Sequence, residues 1–83
     1  MNYDSDREVG QCIRAAREQR GLTQEQLAAR LQTHDCDIAR IALAKIEVGQ
    51  RHICVWELRV LQKILNVPYE NLLPDKTETP GGK

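Results

Sequence analysis

Residues 21–31 read Gly-Leu-Thr-Gln-Glu-Gln-Leu-Ala-Ala-Arg-Leu, and this stretch decides the fold that the sequence predicts. Residues 23–26, Thr-Gln-Glu-Gln, have the pattern of a capping box, in which two side chains satisfy amides at the start of a helix. Apolar residues then recur at the spacing of one buried helix face: Leu27, Ala28 and Leu31. Gly21 suits the left-handed conformation that ends a preceding helix. The stretch therefore predicts the end of one helix and the start of the next.

The segment before Gly21 predicts a first helix over about residues 6–20. Residues 5–8, Ser-Asp-Arg-Glu, have the pattern of another capping box and are expected to start this helix. The apolar positions that follow share one helix face: Val9, Cys12, Ile13 and Ala16. Two consecutive amphipathic helices are therefore expected on either side of a glycine.

Residues 32–37 are polar and have no helical period, so they predict a loop. Alternatively, Asp35 or Asp37 could cap a third helix that extends backwards into this segment. The apolar residues of the third helix come next, and Gly49 ends it: Ile38, Leu43 and Ile46.

A fourth helix is predicted over roughly residues 55–65 from one apolar stripe: Val55, Leu58, Leu61 and Leu65. Asn66 is a plausible left-handed terminator, and Pro68 suits the start of a last short helix near Leu72. No strand pattern is present, so the predicted class is all-α with five helices. Residues 74–83 are polar and are expected to form a disordered tail.

The composition predicts one small domain, residues 1–73, near the lower size limit for an unstapled core. Phe is absent, so the core must be aliphatic. No apolar run approaches the roughly 20 residues that span a bilayer, and no secretory signal pattern is present. Three cysteines at irregular spacing argue against a disulfide framework. A cytoplasmic protein without a membrane partner is expected.

The formal net charge is zero, but its distribution along the chain is uneven. Residues 38–63 hold five basic and two acidic side chains, a net charge of +3, against −2 for residues 1–37 and −1 for residues 64–83. A local basic face on a neutral protein can still follow a phosphate backbone, with strong salt dependence.

Four segments together resemble the phage-repressor-like (Cro/Xre) helix-turn-helix family. They are residues 13–17 (Ile-Arg-Ala-Ala-Arg), 21–28, 43–49 (Leu-Ala-Lys-Ile-Glu-Val-Gly) and 61–73. The resemblance implies a five-helix, lambda-repressor-like DNA-binding domain whose second helix lies across the DNA backbone while the third enters the major groove. The chain departs from the family in the longer turn, residues 32–37, before this recognition helix.

The resemblance places Arg40, Ile41 and Lys45 on the base-reading face of the recognition helix, after Ala39 at the cap. Arg40 could hold guanine O6 and N7, Ile41 could pack on a thymine methyl group, and Lys45 could reach a base or a phosphate. The alternative interpretation is that this partly apolar face packs against a small protein partner or a second copy of the chain.

The resemblance also implies contacts with DNA phosphates and one structural ion pair. Gln24, at the start of the second helix, and Arg51 and His52, in the connecting loop, are expected to contact phosphate. Arg17 and Glu47 match a family pair that joins the first helix to the end of the recognition helix.

The predicted partner is double-stranded DNA, and the chain is expected to bind it as a homodimer. Apolar residues of the last two helices are the predicted dimer contact: Trp56, Val60, Tyr69 and Leu72. The predicted function is a sequence-specific transcriptional regulator, a repressor of a small operon. The alternative is a protein-interaction module or an antitoxin that keeps the fold with little DNA reading.

No catalytic arrangement, metal site or cofactor is predicted. His34 and Cys36 together with His52 and Cys54 match no standard zinc spacing. Cys54 stands at the expected cap of the fourth helix, where the helix dipole could lower the pKa of a thiol, but an inert cysteine is the more common case. We expect a protein that is not an enzyme.

Overall fold

The computed structural model describes residues 3–74, with side chains from Ser5 onward. It contains four α-helices and a 3₁₀ helix: α1 (Tyr3–Gln19), α2 (Gln24–Thr33), α3 (Arg40–Glu47), α4 (Val55–Leu65) and the 3₁₀ helix Tyr69–Leu72. The part described contains no strand, which confirms the all-α class, although the last of the five predicted helices is a single 3₁₀ turn. None of these helices is long and apolar enough to cross a membrane. The predicted tail lies, beyond Pro74, outside the described residues.

The junction between α1 and α2 forms as the sequence predicts. The Thr23 hydroxyl accepts a hydrogen bond from the Gln26 amide at 3.0 Å, and Gln26 Oε1 accepts one from the Thr23 amide at 2.9 Å. Gly21 has a φ of 70°, and the Leu22 amide donates to the Arg17 carbonyl at 3.1 Å. Part of each helix end is therefore hydrogen-bonded locally, which confirms the predicted capping box.

The predicted start of the first helix is wrong. Ser5 is not an N-cap, because α1 already begins at Tyr3 and continues through residues 5–8 without a break. A serine inside a helix costs only a few tenths of a kcal/mol, so the capping pattern does not oblige the helix to begin there. Acidic side chains such as Asp6 near the N-terminus also favour the longer helix through its dipole.

The turn between α2 and α3 lies two residues later than the sequence predicts and is anchored in the core. Helix α2 continues to Thr33, and Asp35 takes a left-handed φ of 59° in the turn. Cys36 and Ile38 are fully buried. The alternative of a recognition helix extended backwards is also wrong, because Ala39 is the N-cap of α3. Burial of two apolar side chains in the turn holds it against the domain.

The core is aliphatic, as the absence of Phe requires. Helix α1 packs against α3 and the 3₁₀ helix, while α2 packs against α3 and α4. The largest fully buried side chains come from every part of the motif: Ile13, Leu27, Leu31, Ile38, Leu43, Ile46, Leu61, Leu65 and Leu72. Because α3 is held from two sides, its remaining face is left to solvent.

Candidate nucleic-acid interface

The exposed face of α3 carries the three side chains that the resemblance assigns to base reading. Arg40 and Lys45 are exposed, and Ile41 is 66% exposed. Leu43 and Ile46 are buried on the opposite face of the same helix. An eight-residue helix anchored by its apolar face thus presents two cations and one large apolar side chain outward.

The start of α2 lies beside the start of α3. A shallow polar depression of about 640 Å³ is lined by side chains from the end of α1 and the starts of both helices: Arg17, Thr23, Gln24, Glu25 and Arg40. The first intrahelical bond of α2 runs from the Leu27 amide to the Thr23 carbonyl, so the earlier amides at this end have no intrahelical partner. A helix N-terminus of this kind favours a bound anion.

Glu47 joins α1, α2 and α3 through one buried carboxylate. Arg17 Nε donates to Glu47 Oε2 at 2.7 Å, and Arg17 Nη2 donates to Oε1 at 3.0 Å. The pair predicted from the resemblance is thus present as a two-pronged contact, with Arg17 8% and Glu47 3% exposed. The hydrogen bond with Glu47 raises the pKa of Arg17, against a smaller opposing effect of burial.

Gln24 also binds this carboxylate, which the sequence reasoning missed. Its Nε2 donates to Glu47 Oε1 at 3.0 Å, and the side chain is half-buried. Only the tertiary fold brings the two residues together, because they lie 23 positions apart. The side-chain amide nitrogen of the predicted phosphate ligand is therefore held towards the protein.

Arg51 and His52, the other predicted phosphate ligands, both have acidic partners within the protein. Arg51 Nη2 lies 3.3 Å from Glu57 Oε2, and His52 Nδ1 lies 2.9 Å from Asp6 Oδ1. The Arg51 side chain is 35% exposed and that of His52 76% exposed. Both side chains therefore remain accessible, but a phosphate would compete with a carboxylate for each of them.

Glu57 is the better fixed of these two carboxylates. Burial acts to raise its pKa, but hydrogen bonds from the Arg51 side chain and the Cys54 amide outweigh burial and lower the pKa. The Cys54 amide donates to Glu57 Oε1 at 3.1 Å, so the same carboxylate also caps α4. Arg51 is thus tied to the start of α4.

The predicted dimer contact is only partly available at the surface. Leu72 is fully buried, so its assignment to an exposed face is wrong: the 3₁₀ helix turns this side chain into the core. Val60 and Tyr69 are half-buried and pack against the core. Trp56 is 54% exposed, and Val55 is 60% exposed, so the prediction that Val55 belongs to the buried stripe of α4 is wrong. The part of the predicted dimer contact that is exposed therefore lies at the start of α4.

An apolar groove adjoins this surface. It has a volume of about 450 Å³ and lies between α1, the segment before α4, the first turn of α4 and the 3₁₀ helix. Its apolar lining residues are Val9, Ile53, Val55, Leu58, Tyr69 and Leu73. The sequence pattern did not predict this groove, because four separate segments form it.

The cysteines form no evident reactive site. All three thiols are free. Burial raises the pKa of Cys36, and burial followed by the nearby Glu8 carboxylate raises the pKa of Cys12. Both thiols therefore stay protonated at neutral pH, which makes them poor nucleophiles. Between residues 5 and 74, no three potential metal-binding side chains come together.

The order of the helices, the capped junction and the buried ion pair together define a helix-turn-helix protein. The model of the helix-turn-helix family matches residues 13–72, and the chain belongs to this family, in its Cro/C1-type branch. A search of curated proteins found no match.

Solved structures show the same fold. The DNA-binding domain of BldD is 26% identical, with a TM-score of 0.75 over 89% of this chain and 100% of that domain. The restriction-modification controller protein C.AhdI from Aeromonas hydrophila is also 26% identical, with a TM-score of 0.76 over 87% of this chain and 97% of its own. The DNA-binding domain of BldD from S. venezulae is 25% identical, with a TM-score of 0.72 over 86% of this chain and 99% of that domain.

Proposed function

We propose that the chain is a sequence-specific DNA-binding transcription regulator that represses a small operon as a homodimer. The observation that carries this proposal is the exposed face of α3, where Arg40, Ile41 and Lys45 stand beside the open N-terminus of α2. Similarity to two proteins described as a DNA-binding domain and a controller protein supports it. In the proposed complex α3 enters the major groove and α2 lies across the backbone.

The proposed division of roles separates base reading from phosphate binding. Arg40 is exposed at the first position of α3, where its guanidinium can meet a guanine edge in two hydrogen bonds. Lys45 lies on the same helix, and Gln24 is proposed to present its main-chain amide to a phosphate, since its side-chain amide is bound to Glu47. Arg51 and His52 supply further phosphate contacts from the loop after α3.

Two copies are proposed to meet through the start of α4 and the adjoining groove. Trp56 and Val55 are more than half exposed there, which suits a self-complementary contact. A dimer would place two recognition helices on half-sites about one helical turn apart.

A titration of fluorescently labelled duplex DNA tests the proposal. Sites are first selected from a random duplex library with the full chain, and binding is then measured on selected and random duplexes at two salt concentrations. We expect tighter binding to selected sites and a steep loss of affinity with salt. Arg40→Ala should lose about 1–3 kcal/mol on selected sites and relax one base position.

Arg51→Ala should instead weaken binding to selected and random duplexes alike. Arg59→Ala, which removes an exposed arginine from α4, is the matched control and should leave affinity nearly unchanged. Equal losses on all duplexes from Arg40→Ala and Arg51→Ala would refute the division of roles.

A second candidate is a protein-interaction module, including an antitoxin. The exposure of Ile41 and Val48 on and beside α3 favours it, because large apolar side chains at a surface suit a protein partner. This candidate predicts no duplex binding even at low salt, and that result would reject the DNA-binding proposal.

A further inference from the structure

An apolar strip runs along the exposed side of α3 and its C-cap. It consists of Ile41, Ala44 and Val48, at spacings of three and four residues that place them on one helix face. Ile41 is 66% exposed, Val48 is 54% exposed, and Ala44 lies half-buried between them. The core does not need this strip, because Leu43 and Ile46 anchor the helix from the other side.

Cations flank the apolar strip. The strip shares one shallow depression of about 390 Å³ with Arg40, Lys45 and Gln50. A surface that is apolar in the middle and positive at its edges can bind an apolar group that is surrounded by the negative charges of a polyanion. In the major groove of DNA that group is the C5-methyl of a pyrimidine, which lies among base edges and is bounded by phosphates.

We infer that the apolar strip reads pyrimidine C5-methyl groups, with Val48 as a specificity-determining residue in addition to Arg40, Ile41 and Lys45. The inference rests on the proposed function, since it requires α3 to lie in the major groove. Thymine supplies the methyl group in ordinary DNA, and 5-methylcytosine carries the same group at the same ring position. Ala44 is small enough to let the groove floor approach between the two larger side chains.

Replacing thymine by uracil tests the inference, because this exchange removes only the methyl group. Sites selected with the full chain are resynthesised with uracil at one thymine at a time, and each duplex is titrated. Loss of one buried methyl should weaken binding about fourfold at contacted positions and leave flanking positions unchanged. Selected sites without thymine in the contacted bases, or uracil without effect everywhere, would overturn the inference.

Two variants assign the effect to the strip. Ile41→Ala should bind thymine and uracil duplexes equally at the one position that Ile41 contacts. Val48→Ala should do the same at a second position. Val48→Ile keeps an apolar side chain and should keep the sensitivity to uracil. If Val48→Ala kept the full sensitivity at every position, Val48 would have no role in specificity.

Cytosine methylation separates the methyl group from the rest of the base. At a position where uracil weakens binding, a 5-methylcytosine–guanine pair should bind about fourfold more tightly than an unmodified cytosine–guanine pair. Equal binding of these two pairs would refute the assignment to the methyl group. Uracil without effect while selected sites still bind tightly rejects this inference alone, whereas no binding to any duplex rejects the proposed function with it.

Discussion

Glu47 is the residue at which the three helices of the motif meet. Its carboxylate accepts hydrogen bonds from both Arg17 and Gln24, and it is 3% exposed. A buried carboxylate of this kind is stable only while its partners neutralise it. This ion pair therefore helps to fix the angle between α1 and α3.

Glu47→Gln is expected to lower the free energy of unfolding by about 3 kcal/mol, because it leaves the buried Arg17 guanidinium with only the exposed Glu18 carboxylate, 4.0 Å away, as a counter-charge. Urea denaturation followed by circular dichroism measures the change. Glu25→Gln makes the same chemical change at an exposed glutamate of α2 and should cost less than about 1 kcal/mol. Similar losses in the two variants would contradict a special role for the buried pair.

Glu57 makes stability depend on acid. Its pKa in the folded protein lies below the usual value of 4.5, because hydrogen bonds from Arg51 and Cys54 outweigh the effect of burial. A lowered folded-state pKa contributes stability that is present above the unfolded value and is lost as the pH falls through the folded value. Part of the free energy of unfolding should therefore disappear as the pH falls below 4.5 and through the lowered pKa of the folded state.

Glu57→Gln should make this fall in stability shallower. It should also lower the free energy of unfolding at neutral pH, because it removes the ion pair with Arg51. Urea denaturation at a series of pH values measures the slope. Glu70→Gln, at an exposed glutamate of the 3₁₀ helix, is the control and should leave the slope as in the parent protein. An unchanged slope in Glu57→Gln would show that other groups govern the acid response.

At the scale of elements, α1 and α3 touch through the backbone. A β-carbon at Gly10 would overlap the Ile46 carbonyl oxygen and lie 2.8 Å from the Glu47 carbonyl carbon. Glycine is therefore required here by the close approach of two helices, although it is a poor helix former.

Gly10→Ala is expected to destabilise the protein by about 1–3 kcal/mol, since α1 must move away from the end of α3. Helix propensity alone would give the opposite sign, a gain of up to about 1 kcal/mol. Thermal denaturation decides between the two, with Gln11→Ala at the exposed neighbouring position as control. A higher melting temperature for Gly10→Ala would contradict the close contact.

Another contact between elements joins the end of α1 to the end of α4. Arg20 Nε donates to the Leu65 carbonyl at 2.6 Å, and its Nη2 donates to the Asn66 carbonyl at 2.7 Å. A cation at the C-terminus of a helix also interacts favourably with the helix dipole. Arg20 therefore caps a helix that begins 35 residues later.

At the scale of the whole molecule, the proposed dimer predicts a mass that depends on concentration. Analytical ultracentrifugation should show species approaching twice the 9.5 kDa chain at micromolar concentration. Trp56→Glu should weaken association at least tenfold, because it places a charge in the apolar contact. Ile41→Ala removes an apolar side chain from α3 that is 66% exposed, against 54% for Trp56, and should leave the mass unchanged. A monomer at all concentrations would refute the dimer.

The sequence by itself determined the class of fold and the local signals within it. Helix ends at Gly21 and Asn66, the capping box at Thr23 and the apolar stripes all depend on neighbours within a few residues, so the local pattern contains them. The resemblance to a known family added the Arg17–Glu47 pair, which no local pattern could supply.

Only the tertiary structure decided which of the remaining side chains are buried, which are exposed and which partners they bind. Three findings depend on contacts between residues of different elements. They are the burial of Leu72, the hydrogen bond from Gln24 to Glu47, and the pairing of Arg51 and His52 with acidic side chains. The physical reason is that such contacts depend on how helices rotate and approach, as at Gly10, and helical periodicity leaves that rotation open.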